Sequence, residues 1–185
     1  MLTKSISFSV NHSSTIVSRD EFTDLAVPMV GLKVSLARQV NGGMLVMDLG
    51  RLTPTPGPRR YLRGEVSILL DWDWRFETDS GIVFGSSSSD PFIHAQLISL
   101  GDQSISGVRL ERGTPDLVVE LGGGLRVRSA GCAEGGPHWS VWLSDSSWLY
   151  CAEGALHHEP AGRGEAPRLT EVASLRSGYA AFSEG

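Results

Sequence analysis

The chain has 185 residues, room for one domain or two small ones and enough to bury a core without disulfide or metal support. With 41% hydrophobic and 20% charged residues it is not a disordered chain. A formal net charge of −5 and the lack of a basic stripe argue against nucleic acid as a partner. No apolar run approaches the length of a membrane span, and the first residues alternate polar and apolar instead of forming an export signal, so a cytoplasmic chain without a membrane partner is expected. Gly 22 and Pro 9 imply many turns between short segments, which leans the class to β.

In chain order, Ile6, Phe8 and Val10 alternate with polar residues as a short strand. Ser18 and Glu21 then have capping-box spacing at the head of SRDEFTDLA, which predicts a short helix ending before Pro28 and packing through Phe22 and Leu25. These elements make up residues 1–29. From residue 30 the chain repeats itself. VGLKVSLARQVNGGMLVMDLG (30–50) lines up with LGDQSISGVRLERGTPDLVVELGG (100–123): a strand, a turn at Asn41, Gly42 and Gly43 or at Gly113 to Asp116, and an apolar strand ending in Leu-Gly. A further strand and a Trp-led pair follow each hairpin, 74–86 in the first half and 139–154 in the second. The reading is a first β repeat over 30–92 and a second over 93–159, each a four-strand unit. Thr53 to Arg60 is a Pro-rich loop, and Gly85 to His94 is the crossover between repeats. Residues 160–185 form a tail, partly mobile at its end, with a short helix around Leu169, Val172 and Leu175.

From Val66 the apolar residues Val66, Ile68, Leu70, Trp72, Trp74 and Phe76 fall on one face of what reads as a single long strand. Asp71, Asp73, Arg75 and Glu77 fall on the other. The second half repeats the pattern in Leu117, Val119, Leu121, Leu125, Val127, Trp139 and Val141. The fold class is therefore mainly β: an antiparallel sandwich or barrel built from two similar halves, with a short N-terminal helix and with Trp72, Trp74 and Trp139 in the shared core. Trp142 falls on the face opposite Trp139, where an exposed aromatic is a contact residue, and Trp148 joins it as a candidate.

The rhythm of Gly31, Leu45 to Gly50, Trp74 to Gly85, Gly101, Leu117 to Gly122 and Trp139 to Gly154 looks like that of small bacterial proteins of unknown function. Some of those are encoded near polymorphic toxins and taken as immunity proteins. The resemblance implies an inhibitor-like binding role and carries no catalytic residue across.

No constellation points to one chemistry. His138, His157, His158, Cys132 and Cys151 lack zinc-site spacing, and reduced thiols are expected of the two cysteines. Ser86 to Ser89 lacks the G-x-S-x-G elbow. Gly122 to Gly124 joins strands and opens no phosphate-binding helix, and Arg126 and Arg128 are expected to pair with acids across the strands. Asp71, Asp73 and Glu77, with Glu120 on the other half, could do acid–base work only if that face lined a cavity. No catalytic residue, metal or cofactor is assigned. The expected function is a non-catalytic protein-binding module, an immunity-like inhibitor, with Asp71, Asp73, Arg75, Glu77, Trp142 and Trp148 as the binding set and a basic protein partner favoured by charge. The alternative is a small-molecule-binding barrel or a cofactor-free isomerase or cyclase. Pairing of exposed strand edges into a homodimer is compatible with both.

Overall fold

The computed structural model describes residues 14–40, 43–55, 61–71, 73–131 and 137–161. The sequence-predicted strand at Ile6 to Val10, residues Asn41 and Gly42 of the first turn, Trp72, Cys132 and the tail helix at Leu169 to Leu175 lie outside these residues.

The capping box at Ser18 and Glu21 opens helix α1 (Arg19–Ala26), with both reciprocal hydrogen bonds formed, and Phe22 and Ala26 are buried. A single 3-10 turn (Val27–Met29) leads into the sheets. Fourteen strands are formed among the described residues. They are β1 (Thr15–Ile16), β2 (Val34–Val40), β3 (Met44–Leu49), β4 (Thr53–Pro54), β5 (Leu62–Arg63), β6 (Val66–Leu70), β7 (Trp74–Thr78) and β8 (Gly81–Gly85), then β9 (Ile105–Leu110), β10 (Leu117–Leu121), β11 (Arg126–Ser129), β12 (Trp139–Trp142), β13 (Trp148–Ala152) and β14 (Ala155–Glu159). The first sheet runs β1-β14-β13-β12-β6-β3-β2 and the second β8-β7-β11-β10-β9, every pairing antiparallel, while β4 and β5 form a small separate hairpin. The molecule is a sandwich and not a closed barrel. Its core holds Leu45, Met47, Leu49, Val66, Ile68, Leu70, Trp139 and Val141 of the first sheet and Trp74, Phe76, Leu117, Val119, Leu121 and Val127 of the second.

The two halves exchange strands. The first half gives β2, β3 and β6 to the first sheet and β7 and β8 to the second; the second half gives β9, β10 and β11 to the second sheet and β12 and β13 to the first. Each sheet is thus a three-stranded meander from one half extended by the Trp-led hairpin of the other, and the order β13-β12-β6-β3-β2 matches β8-β7-β11-β10-β9 strand for strand. The helices follow the same exchange, α1 packing on β9 and α2 (Asp90–Ile98) on β2. Near the approximate two-fold axis the edge strands meet. Lys33 bridges Ser104, Val34 N donates to Gln103 O at 2.9 Å, and Ile105 N donates to Leu32 O at 2.8 Å. Gly31 and Asp102, equivalent in the repeat, both enter this junction with positive φ, of 89° and 65°.

Two expectations are corrected here. The stretch from Val66 to Glu77 is not one strand: β6 ends at Leu70 in the first sheet and β7 starts at Trp74 in the second. The period of two survives the crossing because both strands send their even residues into the same core from opposite sides. The segment from Gly85 to His94 is not all loop, since α2 begins at Asp90, with Ser89 as N-cap and Pro91 in the first turn. Proline there gives up an N–H that has no helical partner anyway, so it starts the helix instead of breaking it. Ile93 and Leu97, four apart, bury its inner face.

The tryptophans that begin the exchanged hairpins lock the sandwich. Trp74 Nε1 donates to Gly43 O, in the β2–β3 turn, at 2.7 Å, and Trp139 Nε1 donates to Pro115 O, in the β9–β10 turn, at 2.7 Å. Each indole crosses from its own sheet to the turn of the other. Trp139 also meets Phe22 edge-on at 5.7 Å between ring centroids, and Trp74 meets Phe76 and Phe84 edge-on at 6.0 and 6.1 Å. Trp74→Phe and Trp139→Phe each keep most of the apolar volume and orphan a carbonyl, buried at Gly43 and part-buried at Pro115, so a loss of about 1–3 kcal/mol in urea unfolding is expected for the first and about 1 kcal/mol for the second. A change below measurement error in both would refute the clasp.

Candidate functional site

The crossover separates the acidic set expected from the sequence. Asp71 follows β6 and stays beside β12, its N–H donating to His138 O at 2.9 Å, whereas Asp73 is exposed and its carbonyl accepts from Ala130 N at 2.8 Å. Arg75 and Glu77 point outward from β7 on the other sheet, in register with Arg128 and Arg126. The structure does not bring the four together as one patch.

Glu77 is the centre of a charge lattice on the outer face of the second sheet. It is 8% exposed and accepts Arg75 Nε at 3.0 Å and Arg126 Nε at 2.9 Å, with Arg128 Nη2 at 3.1 Å. Arg126 also reaches Asp79 at 2.8 Å, Arg128 reaches Glu111 at 2.7 Å, and Arg109 pairs with Glu120 at 3.0 Å. Burial pushes the Glu77 carboxyl up, but the hydrogen bonds from Arg126 and Arg75 and the charges of Arg128 and Arg75 outweigh it, so its pKa lies below the ordinary value. A carboxylate so occupied has little capacity left for proton transfer or for a basic partner.

The outer face of the first sheet has another character. Along one row Asp48, Ser67, Trp142, Trp148 and Glu159 stand opposite one another on β3, β6, β12, β13 and β14. The next row carries Val46, Leu69, Ser140, Tyr150 and His157. Trp142 and Trp148 lie 6.4 Å apart, Trp148 and Tyr150 4.8 Å, and Tyr150 stacks on His157 at 4.9 Å and 8°. This aromatic ladder is half-buried at both tryptophans. At its β12 end the guanidinium of Arg63, carried in by β5, sits 5.1 Å from the Trp142 ring centroid. Trp142 Nε1 and His157 Nδ1 are buried and meet no hydrogen-bond partner. Beside the ladder the fully buried Asp48 pairs with Arg38 and accepts from Ser67 Oγ at 2.5 Å and Gly64 N at 3.1 Å. That carboxylate fixes the β3–β6 corner and is fully engaged.

Comparing the halves position by position isolates where they differ. Arg38 and Asp48 have their counterparts in Arg109 and Glu120, which form the same cross-strand pair. Yet Ser67, Leu69, Ser140 and Trp142 occupy the positions held on the other sheet by Arg126, Arg128, Arg75 and Glu77. A lattice of charges on one face is replaced at these four positions by small, apolar and aromatic side chains on the other. The sequence singled out Trp142 and Trp148. Tyr150 supports only the small-molecule alternative there, with Trp142 and Phe84; Arg63 and His157 do not join the set, because the strand order that sets β14 beside β13, and the chain course that carries β5 to Trp142, are not written in sequence spacing.

The remaining candidates are structural. Ser88 Oγ accepts from Gly85 N at 3.1 Å in the turn that leads to α2. His157 joins the ladder while His158 is in register with the core-facing Leu149, so the adjacent histidines diverge. Among the described residues no group of three or more His, Cys, Asp or Glu is placed to hold a metal, and no helix is long and apolar enough to cross a membrane. Cys151 is a free, buried thiol, pushed up to about 11 by burial and then by the nearby Asp116 carboxylate.

Two outcomes are expected. A depressed carboxylate pKa adds stability that is complete above the unfolded value of about 4.3 and is lost as pH falls through the lower folded value. Unfolding free energy should therefore drop with acidification below about pH 4, and Glu77→Gln should flatten that slope. Equal slopes in both proteins would refute the role given to the lattice. Cys151, with about one thiolate in a thousand at pH 8, should resist a thiol reagent in the folded chain and react at once in urea.

No family model, no curated protein and no solved structure matches this chain.

Proposed function

We propose that the protein is a non-catalytic binding module, immunity-like in the sense of acting by occupying a partner protein, and that its contact surface is the aromatic outer face of the first sheet. The observation that carries this reading is the Trp142, Trp148, Tyr150 and His157 ladder with Arg63 over Trp142, which itself stands where Glu77 centres the charge lattice of the other sheet. Tryptophan, tyrosine and arginine dominate the energetics of protein interfaces because they offer large rigid contact area with a polar tip.

The test is native mass spectrometry of the chain purified gently from the cell that makes it. A co-purifying protein at fixed stoichiometry is expected. Trp142→Ala and Trp148→Ala should each weaken the complex by about 2 kcal/mol or more while leaving the fold intact, and Asp73→Lys should leave it unchanged. A complex indifferent to both tryptophans would sink the assignment of this face. A bare chain carrying a small extra mass would move the reading to a small-molecule site.

A further inference from the structure

We propose that the partner presents a carboxylate side chain to Arg63 above Trp142, so that recognition at this face turns on an acidic group and not a basic one. The inference rests on the binding face proposed above and adds its chemistry.

Charge pairing on the two outer faces sets one arginine apart. Arg75, Arg109, Arg126 and Arg128 on the second sheet each lie within 3.1 Å of a carboxylate oxygen, and Arg38 on the first sheet pairs with Asp48. Arg63 differs. Among the described residues no carboxylate lies within ion-pair distance of it, and its guanidinium is held over an indole instead. A guanidinium laid on an aromatic face keeps its edge N–H groups directed outward in a planar fork, the geometry that grips a carboxylate through two parallel hydrogen bonds. Beneath it Trp142 Nε1 is shielded from solvent, so its resonance reports on what covers the ring without itself binding the incoming group. One held guanidinium without a counter-ion matches a monoanion. A phosphate dianion would find a single guanidinium here for its two charges. The neighbouring half-buried ring of Trp148, backed by the buried Tyr150, offers apolar contact to whatever flanks the acid. The net charge of −5 repels anions in general, so any binding of an acidic probe has to be local.

The experiment follows the indole N–H resonances of the full chain at low salt, with the Trp142 signal identified by its loss in Trp142→Phe. The probes are a capped tetraglutamate peptide, the corresponding tetraglutamine peptide and inorganic phosphate. The expected result is a saturable shift of the Trp142 resonance with tetraglutamate and none with tetraglutamine. Binding should weaken by about tenfold in Arg63→Gln and stay unchanged in Arg51→Gln, which removes an equal charge from an exposed site. The proposal is overturned if tetraglutamate leaves the Trp142 signal unmoved, if tetraglutamine moves it equally, if phosphate saturates it as well as the peptide does, or if Arg51→Gln weakens binding as much as Arg63→Gln. The wild-type arms decide the matter even if a variant loses its fold. Loss of the partner complex in Trp148→Ala together with an unmoved Trp142 resonance would keep the face and refute the carboxylate.

Discussion

Two indole N–H groups, each reaching across the core to the turn of the opposite sheet, are the constraint on which this sandwich depends. A sandwich held by apolar burial alone can slide, because burial has no direction. The bonds from Trp74 to Gly43 O and from Trp139 to Pro115 O fix both lateral position and spacing. They also explain why the halves cannot stand apart. The tryptophan that caps the hairpin of one half sits on a strand that half has given to the other sheet, so each sheet is completed by foreign strands and clasped by its own half's ring. Strand exchange and clasp are one device seen twice, related by the axis that passes near the Lys33–Ser104 bridge.

The same duplication decided what could be read from the amino-acid sequence. Alternation gave the strands, their inward residues and the β class, because burial on one face imposes a period of two on either side of the core. The repeat was visible in the two Leu-Gly endings at Leu49 and Leu121 and in the Trp-led pairs at Trp74 and Trp139. Strand exchange was not visible. A strand that stays in its sheet and one that crosses to the facing sheet both keep their apolar residues toward the same interior, so Val66 to Phe76 read as one element although it serves two. Helix α2 was hidden for a local reason, since Ser-Asp-Pro serves equally as a turn and as a helix start, and only Ile93 and Leu97 packing inward distinguishes the two.

For the candidate site the sequence supplied parts without their assembly. Trp142 was placed correctly on the outward face by counting from Trp139, while Asp71, Asp73, Arg75 and Glu77 were grouped by a strand that does not exist. Distances in sequence could not reveal that Glu77 is closed in by three arginines, two of them 49 and 51 positions away, or that β5 swings Arg63 onto Trp142.

The two outer faces then pose a question of energetics that bears on function. Cross-strand charge pairs stabilise a sheet weakly, yet they leave a face that is hydrated, self-satisfied and indifferent to other molecules. Replacing Arg126, Arg128, Arg75 and Glu77 by Ser67, Leu69, Ser140 and Trp142 gives up that neutrality. The exchange leaves an indole donor without an acceptor and a guanidinium without a counter-ion, both unfavourable in the isolated chain. The second sheet also buries atoms without hydrogen-bond partners, Arg128 Nε and Glu111 Oε2, but there Arg75, Arg109, Arg126 and Arg128 each have a carboxylate, and Arg63 beside the first sheet has none among the described residues. A guanidinium left without a counter-ion has a physical rationale if the missing anion arrives from another molecule, where pairing it favours the complex over the free chain.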